Sequence, residues 1–314
     1  MRTLEINETL VPAGTSQWLK VNTYNLTVGA QVDMPAYVIN SSKEGPVVLF
    51  TAGMHGDEIN GIETLRQLLQ RKIAQDLLCG AVIIIPVVNT ISFMYKSRAL
   101  PDGKDLNRCF PGAKNGSLGA RIAYDMMQKI LPIIDVGVDF HTGGAQINNY
   151  PHLRCKFDEV ASVDLAKKFG APFLVNSEYR EKSFRKEAAK LGKTILVYEA
   201  GESLRLNKLA IKTGLEGCER LLKNLDMLAH NTVEEYKTEV LNTTTWVRAK
   251  NAGLFRTYKK YGDYVTVDEK IAAVTDTYGK EYFAVTANVS GYIIGVNNSP
   301  VVNVGDALLH IGCV

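Results

Sequence analysis

FTAGMHGDEINGIETL, residues 50–65, sits where one kind of local structure gives way to another. An apolar run, Val47 to Phe50, ends in small residues, the pattern of a buried strand. His55, Asp57 and Glu58 then arrive within four positions. Beyond them Ile62, Leu65, Leu68, Leu69 and Ile73 recur at helical spacing. Asp57 is expected to cap that helix, as a short acidic side chain can accept its free N–H groups. Outward from this junction the same alternation continues. Strands are expected at WLKVNTYNLTV (18–28), MPAYVIN (34–40), AVIIIPVVN (81–89), DVGVDFHTGG (135–144) and KTILVYEAG (193–201). Helices are expected at 158–170, 183–192 and 206–228. Strands alternating with helices predict an α/β sheet flanked by helices, with functional residues on loops at the carboxyl ends of strands.

Composition narrows the function classes. The 314 residues allow one large domain or two, and 46% hydrophobic with 22% charged is the balance of a globular protein. The net charge is +3, too even to argue for nucleic acid or an anionic membrane, and no run of five like charges forms a tail. Five widely spaced cysteines without a CxxC pair favour free thiols in a reducing compartment. MRTLEINETLVPAG offers no apolar signal segment, and no window approaches the roughly 20 apolar residues of a membrane helix. A cytoplasmic protein without nucleic-acid or membrane partners is expected.

The pattern changes near residue 240, dividing the chain into an expected catalytic α/β domain (1–240) and a β-rich domain (241–314). VTVDEKIAAV (265–274) and VNVGDALLHI (302–311) match each other: V-x-V, an acid at the fifth place, then Ile or Leu. A Gly-led strand, AGLF or SGYI, lies upstream of each. This internal repeat resembles the biotinyl/lipoyl-type β-sandwich. Carriers of that type hold their cofactor on a hairpin-tip Lys, and the matching turn here, VNNSP, has none. A small barrel-sandwich that caps the cleft or serves assembly, leaving room for a homo-oligomer, is the expectation.

His55 and Glu58 stand three apart at the strand-to-helix junction, so one more imidazole would complete a two-His, one-carboxylate zinc site with an open position. His141, in DFHTGG, directly follows a strand and precedes a Gly-Gly turn. In DLNRCFPG (105–112), Arg108 can grip a carboxylate in bidentate fashion, and Asn107 can add an amide donor. Asp105 can accept the free N–H of a ligating histidine, or simply cap a turn. Glu199 ends the apolar strand ILVY, a costly place for a carboxylate unless it is bonded or works as a general base.

GMHGDE, DLNRCFPG, DFHTGG and YEAG, in this order, resemble the zinc carboxypeptidase superfamily, and within it the succinylglutamate desuccinylase/aspartoacylase branch. The resemblance spans roughly residues 45–205, and the β-rich tail agrees with it. It implies a zinc-carboxypeptidase-like mixed sheet flanked by helices. It also implies one Zn2+ per chain on His55, Glu58 and His141, Glu199 as general base, and Asn107 and Arg108 as binders of the substrate carboxylate. Arg98, in SRALPDGKDLNR, resembles the family arginine that polarises the scissile carbonyl, and Asp105 the partner of a zinc-bound histidine. The implied activity is hydrolysis of the amide bond of a small N-acyl amino acid. The rivals are a carboxypeptidase acting on short peptides and a non-catalytic metal-binding scaffold. No motif matches the extra basic residues that serve dicarboxylic acyl groups, and Arg154, Arg185 and Lys186 stand near the base by chain proximity alone. Cys109 is expected to pack, Tyr150 to belong to a plain loop, and His152, His230 and His310 to be surface or repeat residues rather than ligands.

Overall fold

A computed structural model describes residues 2–26, 29–71, 73–229 and 236–314. Thr27 and Val28 at the end of one expected strand, Lys72 in the first helical pattern, and His230 lie outside the described residues.

The centre is a mixed sheet in which strands Ala81–Ile85, Val47–Ala52, Val136–Gly143 and Thr194–Glu202 run parallel, in that spatial order. Antiparallel strands flank it. Gln31–Asn40 and Thr15–Asn25 lie beyond Ala81–Ile85, and Ile147–Cys155 lies beyond Thr194–Glu202. Every residue of VVLFTA (47–52) is buried because both faces of the sheet are covered, which is why the stretch reads as an unbroken apolar run. Phe50 and Ala52 meet Leu65, Leu68, Phe169 and Leu221 of the helices Ile59–Leu69, Val160–Phe169 and Lys208–Asn224. Val47 and Leu49 face the opposite layer with Ile122, Met126, Ile130 and Phe184.

Several elements lie outside the sequence reading, among them strands Leu4–Ile6, Thr9–Val11 and Phe173–Asn176 and helix Thr90–Met94, and two more have a clear physical reason. The stretch from Leu118 to Ile133 is helical, although no regular period marks it. A π-helical turn at Met126–Ile130 shifts its apolar positions off the 3.6-residue repeat. Residues 147–155 form a strand rather than a loop. Pro151 and the polar Asn149, His152 and Arg154 disguise it, because Pro usually argues against a paired strand and the polar side chains point into a cleft.

After Asn242 the chain builds its own apolar core around Val265, Ile271, Ile293, Leu308 and Ile311. Strand Gly291–Asn297 of this part pairs with the start of Ile147–Cys155, followed outward by Ala307–Cys313 and Thr243–Arg248, so the central sheet runs on into the tail. The repeat has a physical basis. Val265 and Val302 are buried while Val267 and Val304 are exposed. The fourth place is left-handed in both copies, Asp268 at φ 65 and Gly305 at φ 92. The fifth-place acid closes each turn: Glu269 Oε2 accepts from the Thr266 N–H at 3.0 Å, and Asp306 Oδ2 from the Asn303 N–H at 2.7 Å.

Candidate active site

The parallel strand Val47–Ala52 ends at Gly53, whose φ of +64 turns the chain out of the sheet. At Gly56 the loop passes so close to Ser92 and Phe93 that a Cβ would lie 2.0 Å from the Ser92 carbonyl carbon. Pinned between these glycines, His55 is 2% exposed. Glu58 takes the N-cap position of the following helix without capping it, because its carboxylate is drawn to two histidines. Asp57 does not cap the helix either, and its buried Oδ1 has no hydrogen-bond partner among the described residues.

Glu58 Oε1 lies 2.7 Å from His55 Nδ1, and Oε2 lies 2.8 Å from His141 Nδ1. His141 reaches the cluster from the next parallel strand, and one ligand atom from each of the three lies within 4.8 Å of the others. The outer nitrogens are both tied to carboxylates: His55 Nε2 to Asp105 Oδ1 at 3.0 Å, and His141 Nε2 to Asp139 Oδ2 at 2.8 Å. A carboxylate on Nε2 places the proton there and turns the Nδ1 lone pair inward. Burial opposes charge on both imidazoles, yet the surrounding carboxylates outweigh it and hold their pKa values above the ordinary 6.5. Burial also opposes the Glu58 anion, and the two histidines outweigh it, so this carboxyl is held well below its usual range. The pocket thus favours positive charge. Two inward imidazole nitrogens and one carboxylate fit a divalent cation of the zinc type.

A cleft of 530 Å³ opens beside the cluster. Arg98 leans over its rim, donating from Nη1 to Glu58 Oε1 at 3.0 Å and from Nη2 to Asp105 Oδ2 at 2.9 Å. Asp105 serves both readings made of it, since it also accepts the Asn107 N–H at 2.8 Å. Asn107 spends its Oδ1 on the Phe184 N–H at 2.9 Å, which leaves its amide donors for a ligand. Arg108 is exposed and lines the cleft next to it. Glu199 sits in register with His141, held by Arg154 and Asn149.

The structure brings all eight expected residues to one place: His55, Glu58, His141, Arg98, Asn107, Arg108 and Glu199 line the cleft, and Asp105 buttresses it. Of the basic candidates, Lys186 is paired with Glu181 and is not a lining residue. Arg185 is committed to the carbonyls of Arg154, Ser177 and Glu178. Neither His152 nor His310 belongs to the cluster, as expected, and His310 lies within the repeat; both line the cleft, with the His310 ring stacked 4.2 Å from Trp246. Burial, with Arg154 and His152 nearby, pushes His310 down to about 3. Tyr150 belongs to the strand and packs on Phe173 and Tyr261 instead of reaching the site. Cys109 packs beneath the Arg108 turn, with burial raising its thiol pKa.

Sequence reasoning missed Asp139, although D-x-H on one strand places both side chains on the same face. It missed Arg180 as well, a cleft arginine without a side-chain hydrogen bond or ion pair among the described residues. Thr244 and Trp246, which bring the tail to the cleft, carry no local signal.

A mixed sheet flanked by helices, with this cluster at the ends of its parallel strands, defines an α/β protein with a candidate metal centre. The chain belongs to the succinylglutamate desuccinylase/aspartoacylase family: residues 44–225 match the model of its catalytic domain. A curated relative, the N-alpha-acetyl-L-2,4-diaminobutyric acid deacetylase of Halomonas elongata, is 29% identical over 257 residues, covering 78% of this chain and 75% of its own. Among solved structures, a succinylglutamate desuccinylase/aspartoacylase from Rhodobacter sphaeroides superposes with a TM-score of 0.84 at 25% identity, covering 95% of each chain. The product-bound ectoine utilization protein EutE (DoeB) of Ruegeria pomeroyi shares the fold, with a TM-score of 0.86 at 24% identity over 97% of each chain.

Proposed function

We propose that the protein is a zinc-dependent deacylase that hydrolyses the amide bond of a small N-acyl amino acid. The observation that carries this reading is the buried His55–Glu58–His141 cluster opening into the same cleft as Glu199, Arg98 and Arg108. Family membership and the deacetylase relative support the same chemistry. Zinc held by His55, Glu58 and His141 supplies Lewis-acid chemistry at neutral pH when bound.

The chain's own groups do the rest. Glu199, at the lip of its strand, takes a proton from the attacking water and delivers it to the leaving nitrogen. Arg98 presents its guanidinium to the scissile carbonyl and meets the charge that develops on that oxygen. Arg108 and the Asn107 amide bind the substrate carboxylate and so orient the amide for attack. Asp105 and Asp139 fix the tautomers of the two histidines.

In this reading residues 1–240 are the catalytic domain and 241–314 a β-rich domain that walls the cleft. Thr244, Trp246 and His310 at the cleft support that role, restricting the substrate to small acyl amino acids rather than peptides. Five unpaired cysteines support a place in the reducing cytoplasm.

The test is release of free amine from a panel of N-acyl amino acids and short peptides by the zinc-loaded protein and by Glu199→Gln. The expected result is turnover of N-acyl amino acids that Glu199→Gln lowers by about 10²–10⁴-fold. No turnover of any N-acyl amino acid, a preference for peptides, or full activity in Glu199→Gln overturns it.

A further inference from the structure

The Glu199 carboxylate is not left to find its own orientation. Arg154 donates from Nη1 to Oε1 at 3.2 Å, and Asn149 donates from Nδ2 to Oε2 at 3.2 Å. Both come from the antiparallel neighbour strand and flank His152, the residue in register with Glu199. The guanidinium is anchored behind. Its Nε and Nη2 donate to Ser177 Oγ at 3.2 and 2.9 Å. The Ser177 corner is fixed in turn by Arg185, whose Nη2 donates to the Ser177 carbonyl at 2.9 Å and whose Nη1 donates to the Arg154 carbonyl at 3.1 Å. Turning Arg154 toward a substrate carboxylate would break its bonds to Glu199 and Ser177, whereas Arg180 in the same cleft is free to turn.

The Asn149 side of the clamp depends on the tail. Strand Gly291–Asn297 pairs Gly295 with Asn149, and a Cβ at residue 295 would stand 3.0 Å from Asn149 Oδ1. Glycine therefore lets the tail strand pass behind Asn149 without displacing it.

We infer that Arg154 and Asn149 are positioning residues that hold the Glu199 carboxylate in its working orientation, and that the tail strand completes this clamp. The inference rests on Glu199 being the general base proposed above. A base must stand within hydrogen-bond reach of the proton it takes, and a misplacement of about 1 Å costs about 10²-fold. Two donors on opposite oxygens fix both the rotamer and the plane of the carboxylate. Because these bonds act on Glu199 and not on the groups that bind the substrate carboxylate, losing them weakens turnover and leaves binding intact.

The experiment is steady-state kinetics of Arg154→Gln, Arg154→Lys and Asn149→Ala on the best N-acyl amino acid, with zinc content measured in parallel. Each change is also made in the Glu199→Gln background. The expected result for Arg154→Gln is a kcat lowered by about 10–100-fold with KM and zinc content unchanged. Arg154→Lys recovers part of the loss, and Asn149→Ala gives a smaller fall in kcat alone. In the Glu199→Gln background Arg154→Gln costs almost nothing more, because residues acting through one group are non-additive. Should Arg154→Gln fail to fold, Asn149→Ala and Arg154→Lys carry the same comparison. A raised KM at unchanged kcat, or a full additional loss in the Glu199→Gln background, overturns the positioning role while leaving the base intact. Wild-type turnover in Glu199→Gln itself overturns the general base and this inference with it.

Discussion

Replacing Asp139 with alanine removes the acceptor behind His141, one of the three proposed metal ligands. Asp139 is 1% exposed; its Oδ2 accepts from His141 Nε2 at 2.8 Å and its Oδ1 from Thr51 Oγ1 at 2.9 Å. The truncation leaves two buried donors without partners, each costing about 1–3 kcal/mol. Against a typical stability of about 5–15 kcal/mol, a clear fall in Tm is expected, and the protein still folds at low temperature. Freed from Asp139, the His141 ring loses the group that fixes its tautomer and aims Nδ1 inward. Loss of such a partner typically weakens metal binding by about 10–100-fold, or about 1.4–2.8 kcal/mol. Asp139→Asn keeps one carbonyl acceptor for His141 but loses the charge and turns the other oxygen into an amide donor, so it should fall between wild type and alanine. The assay is zinc affinity by competition with a chromophoric chelator, read beside thermal melting. An alanine variant that melts earlier yet binds zinc with wild-type affinity would refute the reasoning, reducing Asp139 to a packing residue.

Arg108→Ala should raise KM strongly, because it removes a carboxylate contact present in both ground and transition states; Arg98→Ala should instead lower kcat. Equal effects on kcat alone would show that the two arginines are misassigned. In zinc-stripped protein, protonated His55 and His141 stabilise the fold, since their folded pKa values lie above 6.5; that contribution is whole below 6.5 and lost as pH rises through the folded values. Glu58, held below its ordinary 4.5, contributes above 4.5 and loses it as pH falls, so the cluster stabilises most between 4.5 and 6.5. Melting of stripped protein should therefore show Tm falling as pH is raised past 6.5, and a flat profile would contradict the coupling. Trp246→Ala should shift preference toward larger N-acyl substrates without loss of zinc. Unchanged relative rates on short and long acyl chains would leave the tail no part in the cleft wall.

What the sequence disclosed follows from how far each signal reaches along the chain. Val47–Ala52 and Ala81–Ile85 read as buried strands because helices cover both their faces, and Val136–Gly143 as a short strand ending in glycines. His55, Glu58 and His141 were legible because each stands where an apolar run stops. Residues 118–133 were not, since the π turn at Met126–Ile130 breaks the helical period. Strand Ile147–Cys155 was hidden by its polar residues, because the side chains that bond Glu199 and line the cleft interrupt the alternation. Trp246 and His310 were beyond reach for a different reason. Non-local strand pairing, Gly291–Asn297 with Ile147–Cys155 and Glu239–Leu241 with Phe173–Asn176, carries the tail to a cleft built from residues 55–199.

The most direct test of the account is the rate of amine release from an N-acyl amino acid by protein stripped of metal with a chelator and then titrated with zinc. Stripping should abolish turnover, and activity should return in proportion to zinc and saturate at one ion per chain. In His141→Ala the same titration should restore nothing at that ratio. Undiminished hydrolysis by the stripped protein, or recovery in His141→Ala equal to wild type, would contradict it.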